Sequence, residues 1–124
     1  MLSKIFITTI CSLVLLMAGT VQAKWIAITD TRSMHYDLNG NLTSSESAKE
    51  AIGSYDKAST CLKMLRTTFT ESQKNEAKTK AVAETVESNS YWFNAQFPTI
   101  ESKMFEKGIT LSHTVEHFSC EEEK

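Results

Sequence analysis

Apolar and polar positions alternate through the first part of the chain after residue 23. Residues 24–30, KWIAITD, are rich in β-branched and aromatic side chains and predict a strand. Residues 34–38, MHYDL, predict its hairpin partner, because TRS can turn the chain before them and NGN at 39–41 makes a turn after them.

Helical spacing begins in the next segment, SSESAKEAIG. Ser47 and Glu50 fit a capping box that starts a short helix, and Gly53 breaks it before a long helix that begins near Asp56. Seven apolar residues recur at spacings of three and four through both helices: Ala48, Ala51, Tyr55, Ala58, Leu62, Leu65 and Phe69. We expect this stripe to face the protein's own core, and a coiled-coil partner surface is the alternative.

The last third of the chain changes pattern three times. Residues 88–97, SNSYWFNAQF, alternate in a way that predicts an aromatic strand, with Trp92 facing outward. Pro98 and Gly108 then stand where a short helix would begin and end. Residues 109–120, ITLSHTVEHFSC, are dense in Ile, Thr, Val and Phe and predict a strand.

Together these segments predict an α+β fold. A small antiparallel sheet, made of the N-terminal hairpin and the C-terminal strand, is expected to pack against one long helix and one or two short helices, with one disulfide.

Residues 1–23 have the layout of a secretory signal peptide. One lysine precedes a run of apolar residues, and Val21 and Ala23 stand at −3 and −1 of the expected cleavage site. An uncleaved membrane anchor is the alternative, although the apolar run is short for a span. We expect residues 24–124 to form one small domain, without a membrane span, in the periplasm or outside the cell.

Two cysteines, Cys61 and Cys120, remain after the expected cleavage removes Cys11. An even pair in an exported chain predicts a disulfide, which should stabilise the fold by roughly 4 kcal/mol. A reactive or metal-binding pair is the alternative, but no C-x-x-C spacing supports it.

Charge makes a nucleic-acid partner unexpected. The formal net charge is −2 for the whole chain, and removal of Lys4 with the signal peptide makes the remainder more acidic. Basic residues are interspersed with acidic ones, whereas a nucleic-acid-binding surface is expected to show a basic excess or stripe.

The segment HTVEH at 113–117 resembles the inverted zinc-binding motif of the insulinase and pitrilysin peptidases. That resemblance implies that His113 and His117 are zinc ligands and that Glu116 is the general base. Such a site needs a helix, since residues four apart stack about 6 Å from each other only there. On the predicted strand, His113 and His117 lie roughly 13 Å apart, too far to share one ion. We therefore expect this segment to be a structural strand and not an active site.

No other set of residues suggests catalysis or a cofactor. We therefore expect a non-enzymatic interaction protein, such as an inhibitor, an immunity factor or an adhesion-type accessory. Trp25, Trp92 and Phe93 are the candidate partner surface, and a metal-binding protein or zinc-dependent hydrolase using HTVEH is the alternative. A Trp-bearing first strand, HYDLNGNL at 35–42 and a closing strand that ends in cysteine make a layout similar to that of small exported proteins of Gram-negative bacteria, including surface-adhesin E-like domains. This resemblance implies a compartment only.

Overall fold

The computed structural model describes residues 23–84 and 89–124 as one antiparallel sheet with a helix on one face. Its elements in chain order are β1 (Trp25–Tyr36), β2 (Leu42–Tyr55), α1 (Ala58–Ala83), β3 (Asn89–Gln96), β4 (Thr99–Glu106) and β5 (Ile109–Glu122). The strands lie in the order β2-β1-β5-β4-β3. This confirms the predicted antiparallel sheet packed on one long helix, in a sheet of five strands.

The predicted pairing of residues 24–30 with residues 34–38 is wrong, because residues 34–36 belong to the same strand, β1, whose hairpin partner is β2. β1 continues through residues 31–33, which were expected to turn, and the turn lies at Asp37–Asn41 instead. There the Asp37 carboxylate accepts hydrogen bonds from the backbone N–H groups of Asn39 and Asn41, and Gly40 has a φ of +82°. This turn directs residues 42–55 back along β1.

The predicted short helix at SSESAKEAIG is wrong, because these residues belong to β2. Ala, Glu and Lys favour a helix intrinsically, but such preferences amount to fractions of a kilocalorie per residue. β1 pairs with β5 along one edge, and its other edge would carry unpaired backbone N–H and C=O groups. Residues 42–55 form hydrogen bonds with these groups along the whole strand, and this decides their state. Ser47 accordingly pairs with Arg32 across the ladder and caps no helix.

The predicted short helix after Pro98 is also wrong. The Pro98 carbonyl accepts a hydrogen bond from the Phe118 N–H, which holds the short β3–β4 connection against β5. Gly108, expected to stop the helix, forms a two-residue hairpin turn with Lys107, with φ values of 79° and 50°. Positive φ at both positions matches the twist of flanking strands.

The core lies between α1 and one face of the sheet. Cys61, Leu65 and Phe69 are the buried residues of the helix, spaced by four. Phe69 meets the rings of Phe97 and Phe118 edge to face, with centroids 5.4 and 5.5 Å apart. Leu62, which the predicted stripe included, is exposed. The buried stripe is therefore narrower than the sequence pattern indicated.

The Cys61–Cys120 disulfide joins α1 to β5 and confirms the predicted pairing. Cys61 is fully buried in the core, and its Cα atom lies 6.2 Å from that of Cys120. At the same end of the sheet the Glu123 N–H donates to the Lys24 carbonyl at 2.7 Å. The two ends of the domain are thus held beside each other.

Candidate functional site

One face of the sheet carries α1, and we call the opposite face the outer face. Ala27, Ile100 and Phe118 point toward the helix and belong to the core. Their neighbours in sequence point the other way, because side chains alternate along a strand. Within residues 23–84 and 89–124, no helix or strand packs on the outer face.

A row of four side chains crosses the middle of the outer face. Strand register places Trp92, Lys103, His113 and Met34 next to one another on β3, β4, β5 and β1, and we call them the Trp92 row. The Lys103 ammonium lies 5.0 Å from the centroid of the Trp92 ring, within the range of a cation–π contact. Trp92 remains 39% exposed, so its ring is available to a partner.

His113 also contacts a carboxylate on the outer face. Its Nε2 lies 2.6 Å from Oε1 of Glu101, which precedes Lys103 by two residues on β4. Both side chains are partly exposed. The contact fixes the direction of the imidazole and occupies one of the Glu101 oxygens.

An open depression of about 350 Å³ lies beside Lys103 and His113, the middle of the Trp92 row, on the side of the first hairpin turn. It is lined by Tyr36, Gly40, Lys103, Ile109, Thr110 and His113. Leu111 is an extra residue in the β4–β5 ladder, which leaves Thr110 opposite Phe105 and brings it to the same depression as His113. The Tyr36 hydroxyl donates to the sulfur of Met34 at 3.6 Å.

Further depressions make the outer face uneven. One of about 270 Å³ is lined by Asp30, Arg32, Val115 and His117. Another, near the β3–β4 turn, is lined in part by Asn94 and reaches Glu101. Such relief can receive side chains from a partner, which a flat polar sheet cannot.

A polar cluster lies on the other side of the sheet, beneath α1. The Tyr91 hydroxyl donates a hydrogen bond to Glu76 of the helix. Burial, the bond to Glu76 and that carboxylate's charge raise the pKa of Tyr91 to about 12, against the opposing effect of a bond to Ser102. Burial raises the pKa of Glu116 as well, and the charge of Glu76 adds to this. These groups join helix to sheet in a largely closed place, so we assign them a structural role.

The three residues predicted as a partner surface do not lie together. Trp25 and Phe93 are half-buried and pack against the core cluster. Trp92 lies on the outer face in the Trp92 row. Of the candidate surface, only Trp92 is therefore placed on the uncovered face.

The HTVEH residues lie on β5 and project to both sides of the sheet. His113 and His117 share the outer face, where they contact Glu101 and Thr99 respectively. Glu116 projects toward α1. No group of three or more His, Cys, Asp or Glu side chains suited to a metal ion occurs in the part of the chain that the structure describes.

Lys103 and Glu101 were missed in the sequence because Pro98 and Gly108 stand at the positions where a helix typically begins and ends. The alternation in TIESKMFE was the available signal: Ile100 and Ser102 are buried, whereas Glu101 and Lys103 are less so. As a strand pattern it places both charged residues on one face.

The helix α1 is long, but no helix of residues 23–84 and 89–124 is apolar enough to cross a membrane. The predicted signal peptide at 1–23 lies, except for Ala23, outside the described residues.

No protein-family model matches the chain, and no curated protein or solved structure is significantly similar to it. Only the geometry of this chain therefore indicates what the outer face can bind.

Proposed function

We propose that this is an exported, non-enzymatic protein that binds a partner protein through its outer face. Inhibitors, immunity factors and adhesion-type accessories all work in this way. The observation that carries the proposal is the Trp92 row: an exposed tryptophan, a lysine, a histidine and a methionine side by side on the face that α1 leaves uncovered.

The chemistry of this face supports a protein partner. Aromatic residues, Met and Arg are enriched in the centre of protein interfaces. Here Trp92 and Met34 supply apolar area, and Arg32 lies one row away, opposite Val115. Charges of both signs are present, which suits a specific partner better than a uniformly charged surface does.

The size of the outer face also fits this role. The five strands are 8 to 14 residues long, and at about 4.8 Å between strands they give a projected area of roughly 900 Å². Side-chain relief increases the accessible area above that projection. A standard interface takes about 800 Å² from each partner. One partner could therefore cover this face in a stable complex.

Two features support export. The Cys61–Cys120 disulfide requires an oxidising compartment to persist. The predicted signal peptide at 1–23 would deliver the chain to the periplasm or the exterior. Reading the N-terminus of the purified native protein tests this part, with Lys24 as the expected first residue.

The partner is identified by capture from the exported fraction of the source organism, and its affinity is then measured with both proteins purified. Trp92→Ala should weaken that affinity by tenfold or more, because exposed tryptophans at interface centres often dominate binding. Met64→Ala is the matched control, since it removes an exposed apolar side chain from the solvent side of α1.

Equal weakening by both variants, or no effect of Trp92→Ala on a folded protein, would place the interface elsewhere. A variant that loses its native circular dichroism and amide dispersion does not count as weakened binding. Lys103→Gln provides a second, conservative variant on the same face.

A further inference from the structure

We infer that the depression lined by Tyr36, Lys103, Thr110 and His113 is a binding site for a carboxylate. The inference deepens the proposed function and rests on it for the partner's use of this face. The binding of a carboxylate can nevertheless be measured without any partner.

The depression offers a cation that is not neutralised. No carboxylate of the described residues lies within ion-pair distance of the Lys103 ammonium, which contacts the Trp92 ring. A ring face attracts the cation without cancelling its charge. None of the six residues that line the depression is acidic. An incoming anion would therefore meet an attractive charge.

Two acidic residues near the depression have partners within the domain. Glu101 contacts His113, and Asp37 accepts two backbone hydrogen bonds within the hairpin turn. Each carboxylate is thereby directed toward a donor other than Lys103. The strand pairing of Lys103 with His113 also puts a second nitrogen-bearing side chain beside the ammonium.

Two residues with hydroxyl groups, Thr110 and Tyr36, line the same space. Among the described residues, the Tyr36 hydroxyl donates to the Met34 sulfur, which is a weak acceptor. A carboxylate oxygen would be a stronger acceptor for that hydroxyl, because charge-assisted hydrogen bonds are roughly twice as strong as neutral ones. Binding would thus replace a weak contact by a stronger one.

A carboxylate fits this charge balance better than a phosphate. Lys103 supplies one positive charge and Glu101 lies nearby, so a singly charged carboxylate is repelled less than a phosphate, which carries more negative charge. No Arg fork, which would bind either anion through two parallel hydrogen bonds, lines the depression, so the choice between the anions rests on their charge. Ile109 and the Tyr36 ring add apolar wall, which suits the carbon chain of an organic acid.

The carboxylate has two possible sources, a small organic acid or an acidic side chain of the partner. Amide NMR titrations with sodium acetate and with N-acetylglutamate N-methylamide distinguish them, because only the second carries the flanking peptide groups. Sodium chloride at equal ionic strength is the blank, and inorganic phosphate tests selectivity.

Saturable shifts at Thr110 and His113 are expected with both carboxylates, and stronger binding of the glutamate derivative would favour a partner side chain. Lys103→Gln should weaken binding at least tenfold. Lys63→Gln, which removes an exposed lysine on α1, should leave it unchanged.

Absence of saturable shifts, equal or tighter binding of phosphate, or unchanged binding by Lys103→Gln would each overturn the inference. If carboxylates fail to bind while Trp92→Ala still weakens the partner, the outer-face proposal survives and only the carboxylate site is lost. If carboxylates bind but Trp92→Ala does not change affinity for the partner, the carboxylate site stands and the outer-face proposal is lost.

Discussion

Trp92 and Phe93 are consecutive residues of β3, and their side chains lie on opposite faces of the sheet. Phe93 packs against the core beneath α1, whereas Trp92 lies on the outer face under the Lys103 ammonium. The two neighbouring aromatic residues therefore have different roles, because Phe93 contributes to the core and Trp92 is available to a partner.

Alanine substitutions should separate these tasks. Phe93→Ala is expected to lower the free energy of unfolding by about 2–3 kcal/mol, because it removes a half-buried ring from the core. Trp92→Ala should cost less than about 1 kcal/mol, since it mainly loses the cation–π contact. Urea denaturation of both variants measures this, and a larger loss for Trp92→Ala would contradict the assignment of faces.

Removing the disulfide should destabilise the domain strongly. The double variant Cys61→Ala, Cys120→Ala is expected to lose about 2–5 kcal/mol of unfolding free energy, because the bridge restricts the unfolded chain and Cys61 fills the core. Thermal unfolding of the oxidised, reduced and double-variant proteins provides the comparison. Reduction without a fall in melting temperature would show that the bridge adds no stability.

Glu116 should make stability depend on pH. Its pKa is raised in the folded state by burial and by the charge of Glu76. The folded protein therefore binds this proton more tightly than the unfolded chain. As pH rises from about 4.5, the ordinary value, through the raised pKa, this group should lower the free energy of unfolding.

Glu116→Gln tests the effect, because glutamine keeps the shape and cannot ionise. We expect the variant to be more stable than the wild type at neutral pH and to lose part of the decline above pH 4.5. Glu122→Gln, an exposed position on the same strand, is the control. Urea denaturation over a pH series measures both, and an unchanged slope in Glu116→Gln would refute the prediction.

The histidines of HTVEH should not hold a shared zinc ion. Residues four apart on a strand are separated by roughly 13 Å, and Glu116 projects to the other face. Metal analysis and zinc titration should therefore give the same weak binding for the wild type and for His113→Ala. One zinc ion held tightly per chain and lost in His113→Ala would instead support the peptidase-like alternative.

The elements that could be predicted are those whose sequence pattern agrees with their environment. Helix α1 has charged, helix-favouring residues outside and Leu65 and Phe69 inside, and β5 is rich in β-branched residues. Cys61 and Cys120 were paired by counting alone. In each case local preference and long-range packing favour the same structure.

Two strands could not be predicted, because their state is decided by distant partners. β2 consists of residues 42–55, almost all exposed, so burial left no period-two signal in it. β4 shows alternation, but Pro98 and Gly108 at its ends are equally typical of a helix. Because β4 was predicted as a helix, the sequence pattern did not identify Lys103 and Glu101 as residues of the candidate site.

The pairing of Trp25 with Glu122 fixes where attachments to the molecule would leave it. Tyr36, beside the carboxylate depression, is eleven residues away along β1, about 36 Å at the usual rise per residue. A tether, tag or surface linkage attached at Lys24 or after Glu123 would emerge at the same end of the sheet and leave the opposite end free. An attachment at that end would therefore leave the carboxylate depression, near the other end of β1, uncovered.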